Sequence, residues 1–249
     1  MSTADRSTLL EVRVESKQYA ARIVLGRLSL HIGRGEIVSL VGPSGCGKST
    51  LLRIVAGLDR DYQGKVHVNG VLQRGPSSQI GVIFQEPRLL PWLTVADNVG
   101  FEAGRSGGHD PRVGHLLAEV GLADQRNVLP KALSGGMAQR VAIARGLFSQ
   151  PDLLLLDEPF SAVDAMTRMR LQALLLSVTR SHGTAALLVT HDLDEALYLS
   201  DRVLLMAAAP GRIDREYRVA RPRPRDRRDP VLTDLRAQLL ERLDAFEAI

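Results

Sequence analysis

The stretch Glu36–Thr50, "EIVSLVGPSGCGKST", constrains the fold more than any other part of the chain. Glu36–Val41 is a short apolar run bounded by Gly35 and Gly42, the pattern of a buried strand. Lys48–Leu58, "KSTLLRIVAGL", takes up helical spacing directly afterwards. Between them Gly42, Gly47, Lys48 and Ser49 satisfy G-x-x-x-x-G-K-[ST]. Strand, glycine loop and helix in that order turn the loop's N–H groups inward and aim a helix N-terminus at the same point. The result is an anion cradle. Such a unit belongs in a parallel sheet with helices on both faces.

The remaining chain fits that expectation. Gly64–Val71 alternates and contains Asn-Gly, a hairpin signal, and Ile80–Phe84 reads as another buried strand. From Glu86 to about Gln150 the texture changes to helices and loops, with a polar break at Gly104–Arg112. Strand signals resume at Asp152–Asp157 and Thr184–Thr190, flanking a helical pattern over Asp164–Ser181. Asp201–Ala207 and Arg212–Arg218 read as closing strands. The last helix, Pro230–Phe246, is amphipathic, with Leu232, Leu235, Leu239, Leu240 and Leu243 on one side. We therefore expect an α/β domain over residues 1–229 with a helical lobe inserted at about 86–150. A C-terminal helix at 230–249 is expected to pack on it.

Composition narrows the class. Apolar residues make up 45% of 249 and aromatics only 4%, as in an ordinary globular core. One cysteine excludes an internal disulfide framework and suits a reducing compartment. The opening "MSTADRSTLL" does not read as a signal peptide, and no window approaches the roughly eighteen apolar residues of a spanning helix, so a soluble chain is expected. The net charge of +4 is local. Arg218–Asp229, "RVARPRPRDRRD", holds six arginines against two aspartates, so everything else sums to zero. A nucleic-acid binder spreads its charge over a face or helix. This proline-interrupted run reads instead as a solvated connector, or as a contact for anionic lipid headgroups or a partner.

The nine residues Gly42, Pro43, Ser44, Gly45, Cys46, Gly47, Lys48, Ser49 and Thr50 form the phosphate-binding run, with Cys46 as a small tolerated side chain. Lys48 is placed to reach the β- and γ-phosphates and Ser49 to ligate Mg²⁺. Asp157 and Glu158 end the strand "LLLLDE". Alone, two such acids also suit a helix cap; beside a phosphate loop, Asp157 suits Mg²⁺ and Glu158 suits a general base for water. Gln85 and His191 end two further strands, the first suited to Mg²⁺ or water, the second to a γ-phosphate hydrogen bond. All these ends share the carboxyl edge of the sheet, where ligands bind in open α/β folds.

A second glycine run, Leu133–Arg140, "LSGGMAQR", carries no evident catalytic side chain. With it, the chain resembles the ATP-binding subunit of ABC transporters over nearly its whole length. "GPSGCGKST" is similar to Walker A, Gln85 to the Q-loop, "LSGGM" to the signature and "LLLLDE" to Walker B. "SAVD" at Ser161–Asp164 is similar to the D-loop and His191 to the H-loop. The resemblance implies a P-loop NTPase (RecA-like) parallel-sheet core, an antiparallel β subdomain and an inserted helical lobe. It also implies ATP and Mg²⁺ as ligands, Tyr19 as the adenine-stacking aromatic, and a head-to-tail homodimer. In that dimer Ser134, Gly135 and Gly136 cap the γ-phosphate held by the second copy. Met137 departs from the Gln found at that position in many relatives, which bears on rate rather than role.

"QEPRLLPWLTVADNV" at Gln85–Val99, with the tail "RPRPRDRRDP", resembles the nitrate, sulfonate and taurine importer ATPases. That group implies two integral-membrane permease subunits as partners and, indirectly, a periplasmic or lipid-anchored solute-binding protein. It implies no nucleic acid, and a peripheral place on the cytoplasmic face of the inner membrane. Leu89, Leu90 and Trp92 either line a permease groove or form lobe core. The alternatives are an exporter or lipoprotein-releasing ATPase, and a soluble ABC ATPase acting on DNA or ribosomes. The "LLPW" stretch argues against the first. The absence of a long coiled-coil insertion or second cassette argues against the second.

Overall fold

Strands β4 (Ile37–Val41), β8 (Leu153–Asp157) and β9 (Ala185–Val189) are almost wholly buried, as unbroken apolar runs in a sheet covered on both faces must be. The computed structural model describes residues 8–247. Its larger sheet has the order β11-β10-β4-β9-β8-β7, completed by β7 (Ile80–Ile83), β10 (Arg202–Ala207) and β11 (Arg212–Arg218). All pairings are parallel except β10 with β11. The smaller sheet is antiparallel. β1 (Thr8–Tyr19) pairs with β2 (Arg22–Leu25), β3 (Leu28–Gly33) and β5 (Gln63–Val68), and β5 turns at Asn69–Gly70 into β6 (Val71–Leu72).

The period of two in "LLLL" explains how one strand serves two cores. Leu153 and Leu155 face a cluster holding α1 (Lys48–Val55) and the antiparallel sheet. Leu154 and Leu156 face a second cluster, shared with α2 (Val95–Val99), α3 (Pro111–Glu119), α4 (Gly135–Leu147) and α5 (Ala165–His182). The first three of these helices lie between β7 and β8 in the chain. The third cluster joins β10, α6 (Leu193–Leu199) and α7 (Pro230–Glu247).

Local details differ from the sequence expectation. The helix after the phosphate loop ends at Val55, not Leu58, because Gly57 turns left-handed at φ +72°. Leu240 does not join the apolar face of α7; it lies about 80° around the helix from Leu232 and is 36% exposed. The arginine run is only partly a solvated connector: Arg218, Arg221, Arg227 and Arg228 are exposed, but Arg223 and Arg225 turn inward. Arg225 is buried and donates to the carbonyls of Leu197 and Tyr198, both at 3.1 Å, at the C-terminal end of α6, whose last carbonyls lack helical partners. Burial lowers this guanidinium to about 10. Arg223 reaches the Gly35 carbonyl at 3.3 Å and Asp201 at 3.1 Å. Arg227 stacks 3.8 Å over the Tyr198 ring and donates to Gln172. The run is a strap that ties the approach to α7 onto the core.

Candidate active site

The phosphate loop is shaped by close contact with the core below it. Gly47 has φ +102°, and a Cβ there would lie 2.4 Å from Leu25 Cδ2. Cys46 is 1% exposed and belongs to the core cluster, so its side chain anchors the loop rather than lining it. Burial raises its thiol, which keeps it protonated and unreactive. Lys48, also buried, donates to the Gly42 carbonyl at 2.7 Å and the Pro43 carbonyl at 2.9 Å. An ammonium held on two oxygens above a helix N-terminus is poised for phosphate oxygens.

Two pairs of side chains complete this edge of the sheet. Ser49 Oγ donates to Asp157 Oδ1 at 3.0 Å, joining the loop to the end of β8. Burial, reinforced by the charge of Glu158, pushes the Asp157 carboxyl up, although the Ser49 hydrogen bond opposes it. Two hard oxygen donors side by side suit Mg²⁺, which keeps water and phosphate oxygens for its other positions. Glu158 follows with φ +46°, a left-handed conformation that costs a non-glycine residue about 1–2 kcal/mol. Its N–H bonds the Val189 carbonyl at 2.9 Å, and Ser161 Oγ donates to its carbonyl at 3.0 Å. Strain held by such contacts marks functional positions. The strained turn brings Glu158 Oε2 to 3.0 Å from His191 Nδ1, with His191 exposed.

Gln85 lies two residues past the end of β7 and is exposed. Tyr19 closes β1 with its ring 45% exposed and its hydroxyl donating to Asp59 Oδ2 at 2.6 Å. That bond to Asp59 is the main cause of the raised phenol, opposed in part by the Lys17 charge and then by the Thr50 side chain of the phosphate loop. Lys17 Nζ donates to Asp59 Oδ1 at 2.8 Å and sits 4.4 Å from the Tyr19 ring centroid. Sequence reasoning singled out Tyr19 but not its neighbour Lys17 or the distant Asp59, which hold the Tyr19 hydroxyl and ring in place.

The second glycine run stands elsewhere. Ser134 caps α4, its Oγ accepting from the Met137 N–H at 3.3 Å, and Ser134 and Gly135 are exposed. α4 packs on β7 through Gly146, near its C-terminal end, so Ser134 stands at the end of the helix away from that contact. No hydrogen bond among the described residues joins the two runs. Asp164 caps α5, Oδ1 accepting from the Thr167 N–H at 3.0 Å. The loop 89–94 is braced by the buried Asn98, which bonds the backbone of Leu90, Leu93 and Thr94. Leu89 packs on the lobe core, but Trp92 is 72% exposed, so Trp92 is not core.

A parallel sheet with a glycine phosphate loop after β4 and an acid pair after β8 defines a P-loop nucleotide hydrolase. The family profile described as "ABC transporter" matches residues 25–161. The aliphatic sulfonates import ATP-binding protein SsuB 2 of Burkholderia lata is 65% identical over 97% of this chain and 87% of that protein. Its namesake in Pseudomonas aeruginosa is 59% identical over 93% of this chain and 94% of that protein. Among solved structures, a dimeric ATP-binding cassette in a post-hydrolysis state, bound to ADP and Pi, superposes with a TM-score of 0.72. It is 29% identical and covers 86% of this chain and 100% of that one. CbiO1 from Clostridium perfringens gives 0.79 at 24% identity over 98% and 100%, a likeness of fold. The chain belongs to the ABC transporter ATP-binding family, and it is an ATP-binding ATPase subunit of such a system.

Proposed function

We propose that two copies of this chain bind two ATP molecules head to tail and drive import of an aliphatic sulfonate through a membrane permease. The observation that carries this reading is the contrast between a phosphate loop set into its own sheet edge and a capped, exposed helix N-terminus at the head of α4. Each copy holds half of each ATP site, with the exposed Ser134 and Gly135 and the half-buried Gly136 offered to the γ-phosphate in the partner's loop. The same amide and dipole chemistry serves both halves.

Within the site, Gly42–Thr50 wraps the phosphates with Lys48 as the cation, and Tyr19 stacks on adenine. Ser49 and Asp157, which already touch, would hold Mg²⁺ together with Gln85. The ion, when bound, neutralises phosphate charge and polarises the reacting phosphoryl group. Glu158 takes the proton from the attacking water, His191 orients Glu158 and bonds the γ-phosphate, and Asp164 at the head of α5 lies along the dimer seam. Binding of ATP closes the dimer, and hydrolysis loosens it. Residues 1–229 act as the ATPase domain, the 86–150 lobe docks the permease through exposed Trp92, and the C-terminal helix buttresses the core. The subunit is thus peripheral on the cytoplasmic face of the membrane.

The substrate class rests on the named relatives. Purification from gently solubilised membranes tests the partner, with copurifying proteins identified by mass spectrometry. A stoichiometric integral-membrane permease is expected; ribosomal proteins or nucleic acid would overturn the transport reading. With that permease and its binding protein in vesicles, an alkanesulfonate should be taken up at the expense of ATP. Uptake of nitrate alone would overturn the substrate.

A further inference from the structure

A buried chain of hydrogen bonds runs from the arginine strap to the loop that carries His191. Arg227 lies at the surface, its guanidinium stacked 3.8 Å over the Tyr198 ring and its Nη2 donating to Gln172 Oε1. Gln172, on α5, is 1% exposed and donates through Nε2 to Glu195 Oε2 at 3.0 Å. Glu195, in the first turn of α6, is 4% exposed, and the Thr190 side chain bonds its carboxyl group. Thr190 Oγ1 in turn accepts from the Asp192 N–H at 3.0 Å. His191 stands between these last two residues, and Thr190, His191, Glu195 and Glu158 line one small cavity. The hydrolytic groups named above include none of Arg227, Gln172 and Glu195.

We propose that Arg227 and Gln172 are positioning residues that set the His191 loop, and with it the Glu158–His191 pair, through Glu195 and Thr190. The link rests on the roles given above to Glu158 and His191 and adds what holds them. Its direction is forced from both ends. A guanidinium only donates, so Gln172 must turn its oxygen to Arg227 and its amide N–H to Glu195. A backbone N–H only donates, so Thr190 must accept from Asp192 and keep its own proton for Glu195. The carboxyl group in the middle then accepts from both neighbours, which satisfies it in a site closed to water. A Gln172 released from Arg227 can turn its oxygen toward Glu195, an acceptor against an acceptor, and the Thr190–Asp192 turn must shift to relieve it. A surface residue of the strap thereby governs turnover without touching ATP.

The test follows the full-length chain at pH 8, where Glu195 is mostly ionised, by NMR of its labelled histidine rings and by ATP hydrolysis. His191→Gln identifies the His191 resonances. Arg227→Ala should shift those resonances, and so should Gln172→Met, which keeps the side-chain volume but neither hydrogen bond. Both should lower kcat about fivefold or more, with KM for ATP changed by less than about twofold. Because Arg227 works through Gln172, the double variant should be no worse than Gln172→Met. Arg242→Ala, which loses the ion pair with Asp214 between α7 and β11, is the structural control and should move neither readout. Unshifted His191 resonances in Arg227→Ala, an equal shift in Arg242→Ala, or single effects that multiply would overturn the proposal. The variant at exposed Arg227 decides the link even if Gln172→Met does not fold. If His191→Gln hydrolyses ATP at the wild-type rate, the role given to His191 fails, while the resonances still decide the link.

Discussion

The two glycine runs use the same chemistry and differ in what surrounds them. In Gly42–Thr50, Gly47 is left-handed against Leu25, Cys46 is buried in the core, and Lys48 is buried over the loop carbonyls. In Leu133–Arg140, Gly135 has only Val163 near its missing Cβ, at 4.0 Å, and Ser134 stands exposed on its cap. The first run is set into its own fold; in the second, Gly136 packs on Thr167 but Ser134 and Gly135 are presented outward. On the function proposed above, a motif with no catalytic side chain gains its meaning from exposure, as half of a site that another copy would complete.

Substitutions can break or sharpen that contrast. The largest effect is expected from Glu158→Gln, which should cut steady-state ATP hydrolysis by roughly two to four orders of magnitude while ATP is still bound. Next is a matched pair. Gly47→Ala places a methyl in a left-handed position against Leu25 and should lower unfolding free energy by about 1–3 kcal/mol and abolish ATP binding. Gly135→Ala, in the first turn of α4, should leave stability within about 1 kcal/mol and monomer ATP binding intact, yet lower hydrolysis. Equal losses of stability from both changes, measured by denaturant titration, would erase the contrast.

Two further variants test regions outside both runs. Arg225→Ala removes the buried strap and leaves the Leu197 and Tyr198 carbonyls without it. It should cost about 2–3 kcal/mol of stability with ATP affinity unchanged. Glu195, buried near Asp192 and Arg168 and bonded by Gln172, is raised by burial from 4.5 to about 7. The folded chain holds that proton more tightly than the unfolded one. Its contribution is therefore fully present below about pH 4.5 and is lost as pH rises through about 7. Glu195→Gln should flatten that decline and gain about 1–2 kcal/mol at pH 8, read by thermal melting across pH.

The phosphate loop is legible in the sequence because its requirements are local: glycines at fixed spacing between an apolar strand and a helix. The central strands are legible for the same reason, and so is the Asn69–Gly70 turn. What escapes the sequence depends on partners brought together by folding. Asp59 meets Tyr19 and Lys17 from about forty residues away, and no periodicity announces it. Arg145 looks like one more polar residue at the end of a helix until Pro87 and Arg88 are seen against it. The arginine run misleads because charge usually means solvent, whereas one of its members, Arg225, satisfies the carbonyls at the end of α6. Trp92 is exposed because Asn98 organises the loop beneath it, a use of a buried amide that composition does not reveal.

Sedimentation velocity of the Glu158→Gln chain, with and without ATP–Mg²⁺ and with Ser134→Arg added, tests the central claim most directly. The account predicts a dimer only when nucleotide is present and Ser134 is intact, with a monomer in the other two cases. A monomer throughout, or a dimer indifferent to both ATP and Ser134→Arg, would contradict it.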